Sequence, residues 1–381
     1  MEGYIKLPIV YMRGGTSKGA YINVKDLPVD KSLRDAYILS LYGSPDKRQI
    51  DGIGGADPLT SKVALVGIST EEGIDVDYTF GYVGIDKAVV DYEGNCGNMS
   101  AAVGVFAIMQ GMVNPVEPIT KVIINNTNTN KIIEAHIPVK NGEPLCVGDV
   151  SIDGVPGSSA EIILYFLNPA GSKTGKLLPT GNVRDKIQVS TGQELEISCV
   201  DAATPSVFVK AEDLGYLGTE LPADIEDDSN HLLDILEEIR VAGALLMGLA
   251  DNKERVSEAV PKVCLVGKAN TYTALNDIVI EKDKIDIVAR TKALSVIHKA
   301  YAVTGGICTA TASLIPGTVV YDVVSSRAKE NHTVILGHPG GTFSFSIDLI
   351  DNNGKLELCK AGVVRTARPI MEGVAYVTQK A

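Results

Sequence analysis

Hydrophobic and polar positions along the chain follow two patterns. Most apolar stretches are short, alternate or run apolar for the length of a strand, and stop at Gly, Asn, Asp or Pro. These read as strands and turns. Residues 4–12, 20–24, 62–66 and 74–83 are of this kind. Lys121–Val139 reads as a hairpin turning around Asn128-Thr129-Asn130. Residues 31–43 have a helical pattern, and Gly43-Ser44-Pro45 ends it. The stretch Gly94–Met109 is different. It opens with Asn95-Cys96-Gly97-Asn98-Met99-Ser100 and continues through Ala, Val, Gly, Phe and Ile without a charge. An uncharged helix of small residues suits burial on all sides. Cys96 is expected at or just before its N-terminus, which Gly111 balances at the far end.

The second half repeats this plan rather than this sequence. Glu194–Val200, Ser206–Lys210, Lys262–Val266 and Ile285–Arg290 read as strands. Ser229–Met247 reads as an amphipathic helix with a polar cap. Thr304-Gly305-Gly306 then feeds a second apolar helix, with Cys308 two residues further on and Pro316-Gly317 as its stop. Strands at Thr333–Leu336 and then Gly337–Ile347 follow. The class is α+β, with two pseudo-symmetric domains. The loop-rich segment 168–186 sets the expected boundary: residues 1–184 and 185–381, the last strand (about 370–381) packing back on the first domain.

Composition narrows the partners. The 381 residues are 45% hydrophobic with a net charge of −12, so a folded protein is expected, without a nucleic-acid or membrane partner. A small anionic substrate remains open, because a site can be locally positive in an acidic chain. No window approaches the roughly 18 apolar residues of a membrane span, and no leader is read, so a cytoplasmic protein is expected. The cysteines at 96, 146, 199, 264, 308 and 359 form no Cys-x-x-Cys pair. That argues against zinc and disulfide frameworks.

Three features bear chemistry. Arg13-Gly14-Gly15-Thr16-Ser17-Lys18-Gly19 reads as a polar loop between strands, with glycines that let N–H groups approach an anion. It is no Walker loop, since the order is Ser-Lys-Gly. Lys62 enters an apolar strand, where it either snorkels to solvent or sits partly desolvated as a base. Cys96 is either a small packing residue or a thiol activated at a helix start. Two domains with facing helix ends would make a cleft for a carboxylate, with donors to hold an enolate and groups to move a proton. That suits epimerases, racemases and allylic isomerases, and equally an organic-acid binding protein. Lys18 and His338 read as solvent and turn residues, Asp51 and Asp57 as turn formers, and Cys308 as buried.

Met12–Gly19, Asp57-Pro-Leu-Thr-Ser-Lys62, Asn95–Ala102, Thr304-Gly305-Gly306 and Gly337-His338-Pro339-Gly340-Gly341 together resemble the PrpF family. That family includes methylaconitate isomerase, oxalomesaconate tautomerase and methylitaconate Δ-isomerase, the last being the nearest resemblance. The Cys-Gly-Asn segment is similar to the wider diaminopimelate epimerase fold. The resemblance implies two β-barrel-like sheets, each wrapped around a central helix, and chemistry that uses no cofactor and no metal. It implies a 1,3-proton shift in a small unsaturated di- or tricarboxylate, methylitaconate to dimethylmaleate before the aconitate-type or oxalomesaconate reactions, in a homo-oligomer. Lys62 and Cys96 become the catalytic pair. Thr16, Ser17, Gly97, Asn98, Met99, Ser100, Thr304, Gly305 and Gly306 become the substrate-binding set. Diaminopimelate epimerases have a cysteine at both helix starts, and this chain does not, which weighs against a two-thiol racemase.

Overall fold

A computed structural model describes residues 3–92, 95–226, 231–257, 260–293, 296–352 and 355–378. Gly94, the Ser229–Asn230 cap and the last three residues lie outside the described residues. Packing divides the chain into two compact units. The first comprises Met1–Tyr165 with Val364–Ala381, and the second Phe166–Val363. The division thus falls after Tyr165, not after residue 184. The reason is polar bonding. Asp201, fully buried in the second unit, accepts hydrogen bonds from Ser172 Oγ (2.5 Å), Lys173 N (2.9 Å) and Thr174 N (2.8 Å). A segment that reads as a linker is thereby tied down.

The first unit begins with β1 (Tyr4–Gly14), β2 (Ser17–Asn23), α1 (Lys31–Tyr42), β3 (Lys62–Ile68), β4 (Val76–Val83), β5 (Val90–Asp91) and α2 (Gly97–Met109). It continues through β6 (Ile119–Asn126), β7 (Lys131–Lys140), β8 (Glu143–Pro144) and into β9 (Ile162–Leu167). The chain's last strand, Ala367–Thr378, pairs antiparallel with β1. From there the order is β1, β2, β3, β4, β6, β7, with parallel pairing at β2–β3 and β4–β6. α1 covers one face through Tyr37, Ile38 and Leu41 against Leu7, Ile22, Val63 and Leu65. Asp30 caps its start by accepting from Leu33 N, and left-handed Gly43 ends it. α2 lies on the other face, with every residue from Gly97 to Ile108 buried except Asn98. That accounts for its lack of charge.

The second unit has β10 (Asp185–Gln188), β11 (Glu194–Ala202), β12 (Thr204–Lys210), α3 (Pro222–Glu226), α4 (Leu232–Leu246), β13 (Lys262–Lys268), β14 (Tyr272–Thr273) and β15 (Val279–Ile280). Then come β16 (Ile287–Ala293), β17 (Val296–Ile297), α5 (Val303–Leu314), α6 (Val319–Val323), α7 (Ser326–Asn331), β18 (Thr333–His338), β19 (Gly341–Asn352) and β20 (Lys355–Arg365). The final strand is β21. The connectivity of the first unit recurs: β11–β12 is a hairpin, β12–β13 is parallel, β13–β16 antiparallel, β16–β18 parallel and β18–β19 a hairpin. α5 is the buried central helix and α4 the outer one, packed on Val263 and Leu265. Sequence repeats as well as plan at one place. β3 opens Lys62-Val63-Ala64-Leu65-Val66-Gly67 and β13 opens Lys262-Val263-Cys264-Leu265-Val266-Gly267. The molecule is mixed α+β, mostly sheet, and neither sheet closes into a barrel among the described residues. No described helix is long and apolar enough to cross a membrane.

Candidate active site

The residues singled out in the first unit converge on the N-terminal end of α2. The polar stretch after β1 is not a seven-residue loop. β1 runs to Gly14 and β2 starts at Ser17, with Gly14 opposite Ser17, so only Gly15 and Thr16 turn. Gly15 has φ +51°, and a side chain there would collide with Asn98. The tip is therefore free to press against the first turn of α2, where Thr16 N donates to Asn98 Oδ1 (3.4 Å). Ser17, 2% exposed, is placed inward by this tight turn.

Parallel pairing puts Gly19 of β2 opposite Lys62 of β3. A Cβ at Gly19 would overlap the Lys62 carbonyl, so glycine is needed for the strands to approach. The Tyr42 hydroxyl donates to that carbonyl and accepts from Ala20 N (2.8 Å). Burial raises the Tyr42 hydroxyl far above the usual phenol range, so it remains a neutral clamp. So held, Lys62 Nζ donates to Ser17 Oγ at 2.9 Å and to Cys96 Sγ at 3.5 Å.

Cys96 is the N-cap of α2, with φ −128° and no side-chain cap bond. Its thiol is thus free of the helix backbone, beside the unpaired N–H groups of the first turn. The β6–β7 turn holds the approach to it. Asn126 Nδ2 donates to Asn95 Oδ1 (3.1 Å) and Asn128 Nδ2 to Tyr92 O (2.8 Å). Tyr21 and Tyr78 lie within electrostatic reach of Cys96, and burial keeps both well above the usual phenol range, as neutral groups.

Gly97, Asn98 and Met99 offer their N–H groups as the helix start. The Met99 side chain is fully buried, and its carbonyl accepts from Tyr21 OH (2.6 Å). Ser100 does not fit the binding set. Its N–H and Oγ both donate to Cys96 O (3.0 and 3.1 Å), and its side chain is buried. In the second unit, Thr304 and Gly305 lie in the first turn of α5. Gly306 N already donates to Ala302 O (2.8 Å), so Gly306 has no N–H for a ligand. The N-cap of α5 is Ala302, which makes Ala302, not Thr304, the counterpart of Cys96. Cys308 is fully buried, donates to Val200 O (3.3 Å), and burial pushes its thiol up. His338, expected in a turn, instead closes β18, paired with Gly341, and its Nδ1 accepts from Gly340 N (3.1 Å). Asp57 is a turn residue, accepting from Leu59 N (2.7 Å). Among the described residues, no three His, Cys, Asp or Glu side chains cluster as a metal site would need.

One residue near the thiol was missed. Arg365, at the end of β20, is 2% exposed. Burial pulls its guanidinium down to about 10 while Cys96 opposes the fall, so it is a cation at neutral pH. The signal was present in Ala361-Gly362-Val363-Val364-Arg365-Thr366-Ala367, an arginine in an apolar strand, the same oddity that marks Lys62.

The PrpF protein family matches residues 4–378. The chain belongs to the PrpF family. Within it, 3-methylitaconate isomerase of Eubacterium barkeri is 46% identical over 381 residues, covering 99% of this chain and 98% of that protein. The 4-oxalomesaconate tautomerase of Pseudomonas putida is 40% identical, over 98% of this chain and 97% of its own length. The crystal structure of a methylitaconate-delta-isomerase superposes with TM-score 0.89 at 45% identity, over 99% of this chain and 97% of that one. The PrpF fold is therefore shared along the whole length.

Proposed function

We propose that this PrpF-family chain is a cofactor-independent isomerase that moves a C=C bond by a 1,3-proton shift in a small unsaturated dicarboxylate, with methylitaconate to dimethylmaleate as the reaction. The supporting observation is Lys62 Nζ between Ser17 Oγ and Cys96 Sγ at the start of α2. The proton that must leave methylitaconate is α to one carboxylate and allylic to the methylene. Lys62, as the free amine, takes it. The electron pair spreads over the allyl system and its carboxylate as a dienolate, which the N–H groups of Gly97, Asn98 and Met99 stabilise. A proton from Cys96 or Lys62 then adds at the methylene carbon, and the double bond lies between the two substituted carbons. Protons and electrons balance without any further reactant. Ser17 keeps the amine aimed, and Thr16 and Asn98 border the same turn.

A two-thiol racemase is disfavoured because Ala302 stands at the second helix start. Tricarboxylate relatives of the substrate differ only by a further anchor. The test is proton NMR in D₂O with methylitaconate, aconitate isomers and oxalomesaconate. Vinyl signals of methylitaconate should give way to methyl signals. Lys62→Ala and Cys96→Ser should each lose about 10²–10⁴-fold in turnover. Full turnover by Lys62→Ala would remove the lysine from the mechanism.

A further inference from the structure

Arg13 stands at the end of β1, and no step of the proton shift uses it. Arg184, Arg240 and Arg327 each meet a carboxylate. Arg13, half-buried, bonds only to neutral oxygens. Taking a cation partly out of water without a counter-charge costs stability. Its bonds are better explained by the geometry they impose.

That geometry centres on one peptide group. Gly14 lies opposite Ser17, and Gly15-Thr16 is the turn between them. The Gly15 carbonyl accepts from Arg13 Nη1 (2.9 Å). On the other edge of the same peptide, Thr16 N donates to Asn98 Oδ1 (3.4 Å). Gly15 N donates to Thr366 O (2.9 Å), and Arg13 Nη1 also reaches Thr366 O and Oγ1 (both 3.0 Å). A peptide is a rigid plane, so its soft motion in a two-residue turn is rotation as a whole. Bonds at both edges stop that rotation, which would otherwise carry Ser17 with it. The turn is backed on its outer side as well. Arg13 Nη2 donates to Ser159 Oγ (3.2 Å), and Ser159 pairs with Val150 through both backbone groups (2.9 and 3.0 Å). The loop between them brings Gly154 against Thr16, where a Cβ would lie 3.2 Å from Thr16 Cγ2.

We propose that Arg13 is a positioning residue: by fixing the Gly15–Thr16 peptide it holds Ser17 Oγ on Lys62 Nζ, and so keeps the amine aimed at the carbon it deprotonates. The contact held in this way is the 2.9 Å bond between Lys62 and Ser17. The proposal rests on the isomerase reading for the step it serves, though not for the Ser17–Lys62 geometry.

The experiment compares wild type, Arg13→Met, Ser17→Ala and the double variant. NMR measures kcat for methylitaconate. Calorimetry measures binding of 2,3-dimethylsuccinate, a saturated dicarboxylate with no double bond to move. Arg13→Met should lose about 10²-fold in kcat, the effect of misplacing a reacting group by about 1 Å, and bind dimethylsuccinate within about threefold of wild type. The double variant should turn over within about threefold of Ser17→Ala, because the arginine acts through the serine. Losses that multiply show independent roles and overturn the proposal. An unchanged kcat, or a loss confined to binding, overturns it too. If Arg13→Met fails to fold, Arg13→Gln, with its shorter side chain, takes its place under the same criteria. A crystal structure of the folded variant reads the geometry without any substrate. Ser17 Oγ should leave hydrogen-bond range of Lys62 Nζ, and an unchanged contact overturns the proposal. If wild type isomerises none of the acids, the isomerase reading falls and that contact alone decides the positioning.

Discussion

At the scale of single residues, environment separates side chains of one type. Six cysteines look alike in the sequence. Cys199, Cys264 and Cys308 are fully buried, and burial pushes Cys199 up to about 12. Cys96, Cys146 and Cys359 are partly exposed. Thiolate character and access govern alkylation. Brief treatment of the native protein with iodoacetamide should therefore modify Cys96 and spare Cys199, Cys264 and Cys308, as read by peptide mass spectrometry. Saturating dimethylsuccinate should slow the reaction at Cys96 more than at Cys146 or Cys359. Labelling of Cys308 before Cys96 would contradict the burial described.

At the scale of elements, β2 and β3 act as one unit because their parallel pairing leaves no room at Gly19. Gly19→Ala forces a methyl group into the Lys62 carbonyl. Overpacking of this kind costs about 1–3 kcal/mol, and here it also moves Lys62. A lower midpoint in urea together with reduced kcat is expected, and unchanged kcat in a folded variant would show that the strand tolerates the shift. In the second unit, α4 is fastened by Glu237. Arg240, then Lys292, hold its carboxyl down to about 2. A carboxylate whose pKa is lowered by folding adds stability above its unfolded value of roughly 4.3, and that stability fades as pH falls through the folded value. Glu237→Gln should thus lower the melting temperature at pH 6, and the gap to wild type should narrow by pH 3. The effect is modest, because the Glu237 side chain is 39% exposed.

At the scale of the whole molecule, one plan is used twice with different contents. Lys62 and Lys262 open equivalent strands in their own units. Lys62 meets Ser17 and Cys96. Lys262 has no ion-pair partner among the described residues. Burial lowers its pKa, and Arg240 and Lys292 lower it further. A lysine whose pKa falls on folding costs stability at every pH where the unfolded side chain is charged. Lys262→Met should therefore raise the melting temperature at pH 7, and the gain should shrink as pH approaches 10. A loss of stability would mean that the ammonium group has a favourable role in the second unit.

The sequence by itself determined the local plan. Alternation, caps and uncharged runs located the strands next to both central helices and the helices themselves, though not β9 or β20, since these depend on neighbours within a few residues. It also marked Lys62 and Cys96, because a charge entering an apolar strand and a thiol before an apolar helix are anomalies that can be read locally. Only the tertiary structure decided the rest. Whether Ser100 and Gly306 could serve a ligand depended on hydrogen bonds to the preceding turn, which no residue type announces. The linker-like segment near 172 belonged to the second unit because buried Asp201 holds it. Arg365 came within electrostatic reach of Cys96 through the bonding of Thr366 to the hairpin at Gly15. Contacts between distant segments follow from how strands pair and which face each presents, and single-residue patterns do not encode that choice.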